Sequence, residues 1–233
     1  MNKTIVITGA TKGIGRAIAE KFAAEGFNLG LCSRSEKDLK NLKAALQNGK
    51  AEILIQKCDV SKLADLKLFA QNIIRTFKTV DVLVNNAGVF IPGQVYNEKA
   101  GILEKLIETN LYSAYRLSRL LLPGMMKRKS GHIFNMGSVA SKQAYPDGGS
   151  YSISKFALLG FSKALREEMK PYNIRVTSLL PGATLTESWN GTTLPASRFM
   201  KAEDVAKSVW DIYNLSENTV VEEIILRPIL GDL

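Results

Sequence analysis

The feature that most constrains this chain is its rhythm. Short runs rich in Ile, Val and Leu alternate with longer amphipathic segments along its whole length. Strand candidates fall at 4–8, 29–33, 53–58, 82–84, 131–135, 174–180 and 224–227. Several lack polar alternation, as a strand covered on both faces does. Helix candidates fall at 13–25, 36–47, 62–77, 98–129, 150–170 and 202–215. Strand and helix alternate six times, which predicts an α/β fold. It is a doubly wound parallel sheet of about seven strands with helices on both faces and right-handed crossovers. No repeat, linker or low-complexity stretch interrupts the pattern, so residues 1–233 are read as one domain.

Composition removes other classes. No apolar run reaches the roughly 20 residues of a membrane helix, and the first apolar run is too short for a signal-peptide core. Cys32 and Cys58 are flanked by apolar residues and read as buried free thiols of a cytoplasmic protein. The net charge is +9. That suits nucleic acid, an anionic small molecule or a solvated surface. The lysines are scattered over helical faces, apart from Lys127-Arg128-Lys129 at a helix end, where positive charge suits the helix dipole. Without a groove-reading motif, no nucleic-acid partner is expected. No metal ligand set is read from the sequence.

Residues Thr8-Gly9-Ala10-Thr11-Lys12-Gly13-Ile14-Gly15 follow the first strand and open the first helix. Glycine admits a close backbone approach, and the N–H groups of a helix start favour a pyrophosphate. This loop at the head of an α/β domain predicts a Rossmann-type dinucleotide site, although its glycine spacing differs from the commonest fingerprint. After the second strand, NAD-binding chains place an acid on the ribose hydroxyls. Here the segment reads Cys32-Ser33-Arg34-Ser35. Arg34 suits a ribose phosphate, and Lys12 offers a second positive charge. NADP(H) is therefore expected over NAD(H). The irregular stretch 182–201 would lie over the carboxyl ends of the strands and is read as a substrate loop. Trp189, Leu194 and Phe199 in it are either an apolar lid or ordinary packing.

Tyr151 and Lys155 are one helical turn apart on one face. A free phenol titrates near 10, too high for ready proton exchange at neutral pH. A neighbouring ammonium lowers that value. The pair is suited to protonate a carbonyl oxygen while hydride reaches its carbon. Ser138 stands just past the fifth strand, and Asn110 lies inside the long helix candidate. Singly, such residues are also turn or cap residues.

Together, Thr8-Gly9-x3-Gly13-x-Gly15, Asn85-Asn86-Ala87-Gly88, Asn110, Ser138, Tyr151-x3-Lys155 and Pro181-Gly182 stand in one order at one set of intervals. This set resembles the short-chain dehydrogenase/reductase family over nearly the whole chain. The resemblance implies an oxidoreductase with Tyr151 as general acid in reduction and base in oxidation. Lys155 would hold the nicotinamide ribose and lower the Tyr151 pKa. Ser138 would bind the substrate oxygen, and Asn110 would position a water that relays protons to Lys155. The loop residues Gly9, Thr11, Lys12, Gly13, Ile14 and Gly15, with Ser33 and Arg34, would hold the phosphates. Asp59 and Val60 would meet the adenine edge, and Asn86, Ala87 and Gly88 the adenosine ribose. Pro181, Gly182, Thr184 and Thr186 would meet the nicotinamide, with Thr186 on its carboxamide. Family members also dimerise or tetramerise through the two long helices. Here those helices carry apolar residues such as Leu117, Leu120, Leu121, Phe156, Leu159 and Phe161 on more than one face, so a homodimer or homotetramer is expected.

The chain departs from many relatives at its end. It reads Glu223-Ile224-Ile225-Leu226-Arg227-Pro228 and lacks the Asn-Gly-Gly turn of the 3-oxoacyl carrier-protein reductases. It is more similar there to the bacterial sepiapterin-reductase-like and 3-hydroxy-acid dehydrogenase branches. The expected activity is NADPH-dependent reduction of a ketone or aldehyde. The alternatives are an NADP-dependent dehydrogenase of small hydroxy acids and a non-catalytic nucleotide-binding regulator, which would have no need of Ser138, Tyr151 and Lys155 together.

Overall fold

The computed structural model describes residues 2–47 and 51–232, so the outermost residues of the expected domain, Met1 and Leu233, lie outside the described part. The strands are β1 (Thr4–Thr8), β2 (Asn28–Ser33), β3 (Ile53–Lys57), β4 (Val82–Asn85), β5 (Gly131–Met136), β6 (Ile174–Pro181) and β7 (Glu223–Leu226). They pair in parallel in the order β3-β2-β1-β4-β5-β6-β7. The helices are α1 (Gly13–Ala24), α2 (Glu36–Leu46), α3 (Leu63–Phe77), α4 (Ile102–Ile107), α5 (Ser113–Arg128), α6 (Gly149–Met169) and α7 (Ala202–Tyr213). The expected doubly wound sheet is what forms.

The apolar runs explain themselves in this sheet. Successive side chains of a strand point to opposite faces. Ile5 and Ile7 of β1 enter the core under α1, α2 and α7, and Val6 enters the core under α3, α5 and α6. Each position thus needs an apolar residue. Under α1 and α7, Phe22 meets Phe27 and Trp210 edge-on, with ring centroids 5.0 and 5.2 Å apart. Burying one such aromatic contributes roughly 1.5–3 kcal/mol.

One expected element changes. The helix expected at 98–129 begins only at Ile102, because Gly101 before it takes a left-handed conformation, with φ of 88°. A π-helical segment, Glu108–Tyr112, then separates α4 from α5. Such a widened turn is frequent at functional sites. Here it buries Asn110, which a regular helix pattern does not foretell.

Strand order reverses beside β1, whose neighbours are β2 and β4. Open α/β sheets bind ligands in the crevice at such a switch point. The two strand ends are tied together there. The Thr8 hydroxyl accepts from the backbone N–H groups of Asn86 (3.1 Å) and Ala87 (3.0 Å). The Asn86 amide donates to the carbonyls of Thr8 (2.9 Å) and Gly9 (3.1 Å).

Candidate active site

A cleft of about 1360 Å³ runs over the carboxyl ends of the strands, from Arg34 and Asp59 to Ser138 and Tyr151. It exceeds the size of an ordinary single-ligand pocket. All the expected site residues line it except Gly15 and Asn110. Gly15 is packed behind the cleft wall. A Cβ there would strike the Asn86 amide and the Gly9 carbonyl, so this glycine seats the helix start on the strand ends. Asn110 sits one layer behind the wall, next to Gly88.

At the outer end, Gly13 has φ of 49°, and a Cβ on it would lie 2.8 Å from Thr186 Cγ2. The glycine loop therefore packs directly against the Thr186 side chain of the segment after β6. α1 has no side-chain cap and no acid in its first turn. Its leading N–H groups are left for an anion. Arg34 is exposed, as a phosphate ligand at the cleft mouth can be. Burial raises the Asp59 carboxyl, but bonds from Ser61 and the charges of Lys62 and Arg34 outweigh it and hold its pKa below the usual range. Lys12 is already engaged, with its Nζ 2.5 Å from Glu187 Oε2. The expected second charge on the ribose phosphate is thus shared with a carboxylate of the substrate loop.

Ser33 is turned to its own loop, exchanging hydrogen bonds with the backbone of Ser35. Thr184 is buried, donates to the Gly182 carbonyl at 3.1 Å, and pairs with Met200 to close the base of the substrate loop. Within that loop Trp189 lines the cleft and packs on Phe199 at 5.0 Å. Phe199 is buried packing, and Leu194 does not line the cleft.

At the inner end, Ser138 follows β5 and Tyr151 stands in the first turn of α6, and both line the cleft. Burial raises the Tyr151 phenol above its ordinary value, and the neighbouring Ser138 hydroxyl opposes that rise. Lys155 is 5 % exposed. Burial pulls its pKa down to about 8. Its Nζ donates to the Met136 carbonyl at 2.8 Å and lies 5.7 Å from the Tyr151 ring centre. The expected lowering of the Tyr151 pKa by Lys155 is therefore not seen. The ammonium is committed to a neutral carbonyl, and desolvation dominates both groups. Asn110 also differs from expectation in its partners. Its Oδ1 accepts from Val89 N (2.8 Å), and its Nδ2 donates to Val89 O (3.0 Å) and Ser154 Oγ (2.9 Å). It anchors the chain beyond Gly88 to α6, one residue from Lys155.

Residues not singled out from the sequence complete this end. Phe90 packs edge-on against Tyr151 at 4.9 Å. Tyr145 lines the same wall, its phenol pushed up to about 12 by burial and by Tyr151. Arg227 and Asp232 pair with each other at the cleft edge next to Gly182. Phe90 stands two residues after the Gly88 motif, whereas nothing near Arg227 in the sequence marks its place beside Gly182.

A switch-point cleft with an uncapped helix start at one end and a Ser-Tyr-Lys cluster at the other defines a dinucleotide-dependent oxidoreductase fold. The model of the short chain dehydrogenase family matches residues 3–195, and the chain belongs to that family of oxidoreductases. It is similar to sepiapterin reductase of Chlorobaculum tepidum, 34% identical over 100% of this chain and 99% of that protein. It is also similar to the 3-oxoacyl acyl-carrier-protein reductase FabG of Salmonella typhimurium, 34% identical over 89% of this chain and 88% of that one. Among solved structures, an alcohol dehydrogenase from the archaeon Thermococcus sibiricus, complexed with 5-hydroxy-NADP, superposes with a TM-score of 0.93. It is 29% identical, and the match covers 100% of this chain and 99% of that one.

Proposed function

We propose that this protein is an NADPH-dependent reductase that converts a ketone or aldehyde to an alcohol, with Tyr151 as proton donor. The observation that carries this reading is the meeting of Ser138, Tyr151 and buried Lys155 at the inner end of a cleft whose outer end is an uncapped helix start. NADP(H) fits the residues present. The cradle at Gly13 leaves no room for a Cβ, and no acid stands between Ser33 and Ser35, where Arg34 projects. The solved Thermococcus relative carries an NADP derivative in the same fold.

When bound, the nicotinamide supplies the hydride. Ser138 and Tyr151 converge on a position where they hold the substrate oxygen, and Tyr151 gives that oxygen its proton. Lys155 holds the ribose side of the site, and Asn110 anchors the wall behind it to α6. A buried phenol with a raised pKa stays protonated at neutral pH, as a proton donor in reduction must. Gly9, Thr11, Lys12, Gly13, Ile14, Ser33 and Arg34 serve the phosphates. Asp59, Val60, Asn86, Ala87 and Gly88 serve the adenosine, and Pro181, Gly182, Thr184 and Thr186 the carboxamide side. The chain works as one domain with 182–201 as its substrate loop. Its buried thiols suit the cytoplasm. A panel of carbonyl compounds including para-nitrobenzaldehyde, read by loss of NADPH absorbance, tests the reading. Failure to reduce any member removes it.

The same reading includes a two-fold homo-oligomer. Tyr115 of α5 and Ile153 and Phe156 of α6 stay exposed while the opposite helix faces are buried. Two-fold pairing would cover them. Light scattering that gives only the monomer mass at micromolar concentration would remove this claim.

A further inference from the structure

Tyr151 stands in the first turn of α6, where backbone N–H groups have no partner inside the helix. Ordinarily a Ser, Thr, Asp or Asn just before the helix supplies one. Here the residues before α6 are Asp147 and Gly148, and no side chain at the cap position does so. The partner comes from 52 positions away. Glu98 Oε1 accepts from Ser150 N at 2.9 Å, and Glu98 Oε2 accepts from the Ser150 hydroxyl. The carboxylate thereby takes both donors of the residue next to Tyr151.

The fit around this contact is close. A Cβ on Gly93 would lie 2.7 Å from Glu98 Cγ, and one on Gly149 would strike Glu98 Oε1 and the Gly93 carbonyl. Gly93 N donates to Asp147 O at 2.9 Å. The segment that follows β4 is thus clamped to the start of α6. That segment carries Phe90, whose ring meets Tyr151 edge-on at 4.9 Å and an interplanar angle of 85°. Glu98 itself lies outside α4, and its side chain serves α6.

We propose that Glu98 is a positioning residue for Tyr151. It fixes the first turn of α6 and, through the Gly93 clamp, the Phe90 ring beside the phenol. This rests on Tyr151 being the proton donor. The geometry, more than the charge, carries the effect, because a Gln at 98 keeps an acceptor for Ser150 N and a donor for Ser150 Oγ.

Wild type, Glu98→Ala, Glu98→Gln and Tyr151→Phe are compared with NADPH and para-nitrobenzaldehyde for kcat, and by fluorescence titration for NADPH affinity. Glu98→Ala should lose about tenfold or more in kcat, as a small misplacement of a catalytic group does. Its NADPH affinity should stay within about twofold, because the outer end of the cleft is untouched. Glu98→Gln should recover to within about threefold of wild type. An Ala variant with wild-type kcat overturns the inference. So does a joint fall of kcat and NADPH affinity that Gln does not rescue, which would mark Glu98 as general scaffolding. Loss of turnover in Tyr151→Phe beside normal Glu98→Ala turnover sinks this inference alone. Full turnover in Tyr151→Phe sinks the reading of Tyr151 itself.

Discussion

Two lysines of one cleft live under opposite conditions. Lys155, at the inner end, is buried, held on the Met136 carbonyl, and depressed to about 8 by loss of solvent. Lys12, at the outer end, is in water, and its pKa is raised by a hydrogen bond and charge from Glu187. The inner end works through desolvation and fixed hydrogen bonds, which salt barely touches. The outer end works through charges in water, which about 0.1 M salt screens beyond about 10 Å. Chemistry and cofactor choice are therefore separable in this molecule, and each end is open to its own test.

The largest effect belongs to the inner end. Tyr151→Phe removes the proposed proton donor and keeps the ring against Phe90. Turnover should fall by roughly two to four orders of magnitude, with NADPH affinity nearly unchanged. The raised phenol also fixes a pH sign for the wild type. Alcohol oxidation needs the tyrosinate, so its rate should climb with pH through neutrality into the alkaline range. A flat oxidation profile in stopped-flow measurements, or near-normal Tyr151→Phe turnover, would break the assignment.

Lys155 gives a stability test of the same burial. Below about pH 8 both the native and the unfolded chain hold its proton, and the native state carries the full cost of the buried charge. Between about 8 and 10.5 the unfolded chain holds the proton and the native chain does not, so stability gained from this group rises with pH. A gap of that size corresponds to roughly 3 kcal/mol at most. Lys155→Met should therefore gain on wild type near neutrality, less about 1 kcal/mol for the Met136 carbonyl left without its donor. That loss does not vary with pH, so the readout is the difference between the two proteins in urea unfolding. It should shift in favour of wild type as pH rises from 8 to 10.5. A difference that stays constant would show that Lys155 is not depressed by burial.

Cofactor choice comes next in size. Arg34→Asp should weaken NADPH use by roughly 10- to 100-fold, the worth of a charge-assisted pair, while NADH use stays level or improves. Steady-state kinetics with both cofactors measure it. A wild type with lower KM and higher kcat for NADH would undo the argument from the missing acid.

The two ends were also unequally legible in the sequence. Periodicity revealed the sheet because every position of runs such as Ile5-Val6-Ile7 is buried on one face or the other. Glycine spacing marked the candidate phosphate loop, where Gly13 takes a positive φ and packs on the Thr186 side chain. Tyr151 and Lys155 showed because one helical turn joins them. Contacts between distant segments left no local trace. Glu98 matched a helical pattern, yet its carboxylate bonds Ser150. Asn110 matched the same helix, yet a widened turn sends it inward. Lys12 showed as a free cation, and nothing near it in the chain announces Glu187.

That last pair yields the smallest expected effect. Lys12 opens α1 at the phosphate end, and Glu187 lies in the short 3-10 turn Glu187–Trp189 of the substrate loop. Both side chains are more than half exposed. An exposed ion pair contributes little to stability, so its importance lies in what else Lys12 can bind. A phosphate at the helix start competes with the Glu187 carboxylate for the same ammonium. Glu187→Gln should free Lys12 and tighten NADPH binding by about two- to fivefold at low salt. The gain should fade toward 1 M salt, where charges separated by more than about 3 Å are screened. Fluorescence titration of both proteins at low and high salt measures it. Weaker NADPH binding by Glu187→Gln would reverse the sign. The ion pair would then matter chiefly as a strap that holds the substrate loop over the cofactor, and Lys12 would not be a phosphate ligand in competition with it.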